Sequence, residues 1–331
     1  MLLKLFKGTG PGVIFLIAVT LGLLWIGAFL NPQMPGPFIY ETSPMPLYSI
    51  VKLLIGAHPL AGVIFSFIIV IVMIFLLTYF NTSVFFINER TFLPAVIYIL
   101  FSAIFPENQV LNPVLPAAVF LMLAVIKVMQ TYREPGTAFN FFDAGILISI
   151  GSLFYINIIW FGLLVIIGVT LLRSGNFKEP AITILGLLTP YLLITGLYYV
   201  LGKDLGIFLS DITHNLFGKS PGYDFSRLAI IVLIVTGMIF IISLIYLVMQ
   251  MNSKKIKSRK TFFLLLWALF ISLAVYFSLP SVSVETVWIT GISASYILAH
   301  YFVFTRKKLI PEIMFSGFLL LIVLLQVLYV F

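Results

Sequence analysis

Long apolar runs separated by short polar stretches set out this chain. A helix needs about twenty apolar residues to cross a hydrocarbon core ~30 Å thick. Windows of that kind fall at 13–30, 60–80, 91–105, 110–129, 138–155, 158–172, 181–201, 228–250, 261–279, 286–305 and 313–331. The pattern therefore predicts an all-α polytopic membrane bundle of about eleven transmembrane helices. The first run follows Lys4 and Lys7 as a secretory signal would, but it is too long for a signal core and no small-x-small cleavage site follows it. It reads as an uncleaved first span. The third run is the shortest: fifteen residues rise only ~22 Å as a helix, so it either crosses or dips in and returns.

Two of the polar stretches between runs are long, 31–59 and 202–227. Each contains an amphipathic segment. In 46–57 the residues Leu47, Ile50, Val51, Leu54 and Ile55 recur at helical spacing while Lys52 and His58 fall elsewhere. In 204–217 Leu205, Ile207, Phe208, Ile212 and Leu216 form a similar stripe opposite Asp204, Asp211 and His214. Both read as short interfacial helices that anchor their loops. Within the runs, Pro94, Pro113, Pro116 and Pro190 are expected to kink or shorten helices, and small residues such as Gly145, Gly186 and Gly196 to allow close approach.

Composition agrees with the pattern: 62% of residues are hydrophobic, 9% are charged, and the mean hydropathy is +1.18, outside the range of soluble domains. With no cysteine, disulfides, thiol catalysis and thiolate-held metals are excluded. The net charge of +8 would suggest nucleic acid in a soluble protein, but its distribution gives another reason. With the N-terminus cytoplasmic and all eleven runs crossing, fifteen basic residues face the cytoplasm, among them Lys127, Arg133, the cluster 254–260 and the triplet 306–308. Only four, Lys52, Lys203, Lys219 and Arg227, face the other side. That asymmetry is the positive-inside signal and places the C-terminus in the periplasm. The basic runs are topology signals or contacts to anionic lipid, and no nucleic-acid partner is expected.

In this orientation both long loops are periplasmic, and six of the eleven acidic residues face outward: Glu41, Glu107, Asp204, Asp211, Asp224 and Glu285. Asp143, about a turn and a half into its run, is expected to pair with Arg133 or to reach water, and His300 to sit at the interface. No phosphate-binding glycine loop, paired-histidine zinc motif or nucleophile elbow occurs. The acids Glu41 and Glu107 are suited to act as general base on a hydroxyl acceptor, with Lys203 or Arg227 neutralising the phosphate of a lipid-linked donor. Asp211 and His214, three residues apart on one helix face, are a weak signal for a divalent cation completed by Glu41 or Glu107.

This layout resembles the GT-C superfamily of polytopic glycosyltransferases, which includes the protein O-mannosyltransferases and the aminoarabinose transferases of lipid A. The resemblance covers roughly residues 1–250: a cytoplasmic N-terminus, an acid in the first outward loop followed by an interfacial helix, and a second long outward loop after the seventh span. The segments 90–105 and 139–173 are similar in texture to the corresponding spans. The likeness implies transfer from a polyprenyl-phosphate-linked sugar at the periplasmic face of a bacterial cytoplasmic membrane, with Glu41 in the place of the first-loop acid, Glu107 in that of a second acid, and Lys203 or Arg227 at the donor phosphate. Residues 251–331 add further helices to the same membrane domain and no soluble domain. The first-loop acid is usually one of an acidic pair, whereas Glu41 is followed by Thr42. The chain also resembles a family of multi-spanning Bacteroidota proteins that brings no activity with it. Two further readings follow from the isolated acid and short loops: a non-catalytic subunit of an envelope complex with membrane-protein partners, and, with weaker support, a transporter of lipid-linked intermediates.

Overall fold

The computed structural model describes residues 2–132, 138–173, 177–306 and 309–330. Among the described residues all regular structure is helical. A short helix α1 (Leu2–Phe6) leads into α2 (Pro11–Leu30). Loop 31–59 contains the single turn α3 (Ile39–Thr42) and α4 (Pro46–Ile55). The chain continues through α5 (Pro59–Val84), α6 (Leu93–Ser102), α7 (Val114–Gln130), α8 (Phe139–Ser152), α9 (Gly162–Leu172) and α10 (Lys178–Val200). The second long loop carries α11 (Leu205–Phe217), and α12 (Arg227–Gln250), α13 (Ile256–Ser278), α14 (Val287–Phe304) and α15 (Leu309–Val330) complete the bundle.

Seven helices, α2, α5, α10 and α12 to α15, are long and apolar enough to cross a membrane. The other four expected spans form the shorter helices α6 to α9. Their shortness has a physical counterpart in their position. All ten residues of α6 are buried, and α6 packs against α5 and α14, itself the most enclosed of the long helices. At about 15 Å, α6 is half the thickness of a hydrocarbon core. The backbone groups freed at its ends must therefore be satisfied by protein. Thr91 Oγ1 accepts from Leu93 N at 3.2 Å, and Gln326 Nε2 donates to Ala103 O at 2.9 Å. The chain beyond α6 at Gln109 donates to Leu24 O at 3.1 Å.

Three of the four prolines expected to kink or shorten helices stand at helix starts. Pro94 and Pro116 lie in first turns and Pro113 is the N-cap of α7, where a missing N–H costs nothing. Pro190 alone stands inside a helix, α10. The closest helix crossing is α8 on α10. A Cβ on Gly186 would lie 2.4 Å from Phe142 O, and one on Gly145 would lie 2.6 Å from Thr183 O. Gly196 has open space around it and takes no part in packing.

Long-range bonds divide the bundle into two ends. At one, Thr91 Oγ1 donates to Lys7 O at 3.0 Å, Lys7 Nζ to Val303 O at 2.7 Å, and Lys254 Nζ lies 2.5 Å from His300 Nε2. His300 is fully buried among protein side chains, and Lys254 also lies over the rings of Phe262 and Phe304. Asp143 pairs with Lys127 at 2.9 Å, the cation one helix back. Arg133, its expected partner, and Lys307 and Lys308 lie outside the described residues. Both long polar loops lie at the other end. The helices beyond residue 250 are not an appendage: α14 packs on α6 and α12, and α13 packs on α9 and α14.

Candidate functional site

Glu41 sits on the one-turn helix α3. Pro46 starts α4, and Tyr48 and Lys52, four residues apart, share one face of it. That face meets Glu41. Tyr48 donates its hydroxyl to Glu41 Oε1, and Lys52 Nζ lies 2.7 Å from Oε2 and 2.9 Å from the backbone carbonyl of Glu41. The Glu41 side chain is 11% exposed and that of Lys52 38%. Burial, and then the Glu41 charge, push the Tyr48 hydroxyl well above its usual range, so it remains a donor. On the other side of α4, Ile50, Leu53 and Leu54 are exposed, as the interfacial reading requires.

Tyr40, next to Glu41, stacks on Phe38 with centroids 5.2 Å apart and meets Tyr48 and Tyr155 edge-on. Its hydroxyl accepts from Asn112 Nδ2 at 3.2 Å, while Asn112 Oδ1 caps Val114 N at 2.7 Å. Beneath lies Glu285, with no exposed surface. Its Oε1 accepts from Ser283 N at 3.3 Å, and its Oε2 has no hydrogen-bond partner among the described residues. Burial first, and Glu285 second, push the Tyr40 hydroxyl well above its usual range. Tyr155 is also within electrostatic reach of Glu285. The Tyr155 hydroxyl lies near Asn157 and Thr286 without a well-formed bond to either, and Asn157 Oδ1 likewise has no hydrogen-bond partner among the described residues. A buried polar layer thus underlies loop 31–59, with the Glu285 carboxylate within electrostatic reach of the Tyr40 and Tyr155 hydroxyls.

The second loop is bound to the first. Asp204 caps α11 by accepting from Gly206 N at 2.7 Å. Near the other end of α11, Asn215 Nδ2 donates to Ser43 O at 2.6 Å and to Asp211 O at 2.8 Å. Ser281 Oγ donates to Leu216 O at 2.8 Å and Ser220 N to Pro280 O at 2.9 Å, which fixes the loop to the approach to α14. Between the two loops is an open hollow of about 460 Å³ that includes Ile39, Thr42, His214, Lys219, Ser220 and Gly222 among its lining residues. Glu41 is not on its wall.

None of the remaining nominated residues pairs with Glu41. Glu107 is exposed on the turn Pro106–Asn108, within electrostatic reach of the Tyr223 hydroxyl; burial and this carboxylate raise the pKa of Tyr223. Lys203 lies 5.2 Å from the centroid of the Tyr198 ring, and Arg227 is exposed at the start of α12. Asp211 and His214 share α11, and no group of three His, Asp or Glu that could hold a metal is found among the described residues. The cation at Glu41 is Lys52. The spacing of Tyr48 and Lys52 on α4 was a readable signal for that pairing. Glu285, in the polar stretch 281–286, carried none that separates it from a solvated loop acid.

No curated protein and no solved structure matches the chain. A family model matches residues 45–331, which takes in α4 with Tyr48 and Lys52, the second-loop wall of the hollow from His214 to Gly222, and Glu285. The chain belongs to DUF6427, a family of unknown function.

Proposed function

We propose that the protein is a non-catalytic membrane subunit of a bacterial envelope assembly. All eleven apolar segments cross the cytoplasmic membrane, with the N-terminus inside and the C-terminus in the periplasm. The fifteen-to-four division of basic residues supports that orientation, as does the gathering of both long loops at one end of the bundle. One observation carries the functional reading: Glu41, the best-placed acid in the sequence, is engaged through both oxygens by Tyr48 and Lys52 of its own loop. A general base must reach the acceptor's proton. This carboxylate reaches a lysine and a phenol instead, and its energy goes into fixing the loop. The joined loops then present a rigid polar face on which other envelope proteins assemble.

The test is extraction of native membranes in mild detergent, followed by sizing and quantitative mass spectrometry of the wild type and Glu41→Gln. Partners in fixed stoichiometry, retained by the variant, are expected. A chain that runs alone and turns over a polyprenyl-phosphate sugar, with turnover lost in Glu41→Gln, overturns the reading.

The hollow between the loops favours a second reading, a GT-C-like transferase for a polyprenyl-phosphate-linked sugar. Lys219 and His214 on its wall are suited to a donor phosphate. Glu107 is the exposed acid on this reading.

A further inference from the structure

Glu285 takes no part in either functional reading. It stands in the turn Val284–Thr286 that leads into α14 and has no exposed surface. The groups that bond it are the main chain and side chain of Ser283 and its own main chain, none of them charged. Among the described residues no lysine, arginine or histidine forms an ion pair with it. An ionised carboxylate taken out of water without a cation is costly, and an acid at such a depth in a membrane bundle marks a site of use more often than a packing element.

Oxygen atoms gather around this acid from three separate segments. Tyr40 of loop 31–59 and Tyr155 of the turn between α8 and α9 meet edge-on, with centroids 6.2 Å apart, and both act electrostatically on Glu285. The Tyr155 hydroxyl lies beside the side chains of Asn157 and Thr286. Three of these oxygens, Glu285 Oε2, the Tyr155 hydroxyl and Asn157 Oδ1, are buried and have no hydrogen-bond partner among the described residues. The donor end of the Asn157 amide is committed: Nδ2 donates to Ser281 Oγ at 3.5 Å, and Ser281 donates onward to Leu216 O. Its oxygen is left over. Folded interiors rarely leave such atoms unpartnered unless a water or an ion joins them. A water brings donors and no charge, and a proton on Glu285 removes the charge but serves one oxygen. A cation does both. One carboxylate balances one positive charge, so a divalent ion would leave a buried excess. Potassium is larger and takes a fuller shell of carbonyls than these few side chains supply.

We propose that the protein binds one sodium ion here, held by Glu285 Oε2, Asn157 Oδ1 and the Tyr155 hydroxyl, with the Tyr40 hydroxyl beside them. The ion neutralises the acid and fastens loop 31–59, the turn between α8 and α9 and the start of α14 to one another. The site needs neither a partner protein nor a sugar donor, so it is independent of the subunit and transferase readings.

The test uses the full chain in detergent, exchanged into N-methylglucamine chloride and titrated with radiolabelled sodium at constant ionic strength. One sodium per chain is expected, displaced about tenfold less effectively by potassium than by unlabelled sodium, and the melting temperature should rise with sodium and not with choline. Glu285→Gln keeps the shape, removes the charge and should abolish both effects. Asn157→Ala should weaken binding about tenfold, the usual cost of a lost contact at an ion site. Asp143→Asn, at the other end of the bundle, should leave binding unchanged. If Glu285→Gln does not fold, the stoichiometry of the wild type and the affinity of Asn157→Ala decide the matter. Infrared spectra of the wild type with and without sodium provide the second arm: no protonated-carboxyl band is expected in saturating sodium that Glu285→Gln removes. Absence of saturable sodium binding, equal binding of potassium, sodium binding that survives in Glu285→Gln, or such a band in saturating sodium overturns the proposal.

Discussion

Lys52 Nζ lies 2.7 Å from Glu41 Oε2 and 2.9 Å from the backbone carbonyl of the same residue. One ammonium thus holds both the side chain and the main chain of α3 against α4. With Tyr48 on the other oxygen, the acid becomes a fastening between two short helices that lack the length to be stable alone. A partly exposed pair of this kind contributes on the order of 1 kcal/mol, more than a fully solvated one, because Glu41 is largely out of water.

Lys52→Met should accordingly lower the melting temperature of the detergent-solubilised protein by about 2 °C. Tyr48→Phe should cost a similar amount. A double-mutant cycle of Lys52→Met with Glu41→Gln should return a coupling of about 1 kcal/mol. Purely additive effects would mean that the pair does not form.

Asn215→Ala removes the side chain that joins the two long loops through Ser43 O and leaves that carbonyl without its donor. Local stability should fall by about 1–3 kcal/mol while the helices of the bundle stay protected. Hydrogen exchange should accelerate in residues 38–48 and 205–217 and remain unchanged in α6 and α14. Uniform acceleration across the bundle would count against a local fastening.

Gly186→Ala places a methyl carbon 2.4 Å from Phe142 O, a backbone atom that cannot turn away. The variant should lose more than about 2 kcal/mol or fail to accumulate in membranes. Gly196→Ala, ten residues on in the same helix, should be tolerated, because nothing lies within 4 Å of the new carbon. Expression and melting of the two variants compare the sites directly.

Burial pushes the Lys254 ammonium down to about 8 from its ordinary 10.5. The unfolded chain therefore holds this proton over a range in which the folded chain has released it, so stability from this group rises with pH between about 8 and 10.5 and is flat below. Thermal denaturation of wild type and Lys254→Met from pH 7 to 10.5 should show a rise in the wild type that the variant lacks. The same profile in both proteins would assign the rise to another group.

The chain has no cysteine, so single cysteines can report sidedness without background. Lys203→Cys and Lys255→Cys replace exposed residues at the two ends of the bundle. A membrane-impermeant maleimide added to intact spheroplasts should label the first and not the second. Labelling of both, or of the second alone, would overturn the proposed orientation.

The sequence by itself determined that this is a helical membrane protein, where its helices lie and which two loops hold its polar residues. These features follow from runs of apolar residues, whose preference for helix and for lipid is a local property of twenty consecutive positions. It also carried the pairing of Tyr48 and Lys52 on one face of α4, since residues four apart on a helix must be neighbours. Only the tertiary structure decided that α6, ten residues long, is the enclosed element with its ends satisfied by Thr91 and Gln326, that Lys52 is the cation paired with Glu41, and that Glu285 is buried near Tyr40 and Tyr155. Each of these depends on segments far apart in the chain coming together, as Ser43 and Asn215 do across 172 positions, and no local pattern of residues encodes which distant oxygen a buried side chain will meet.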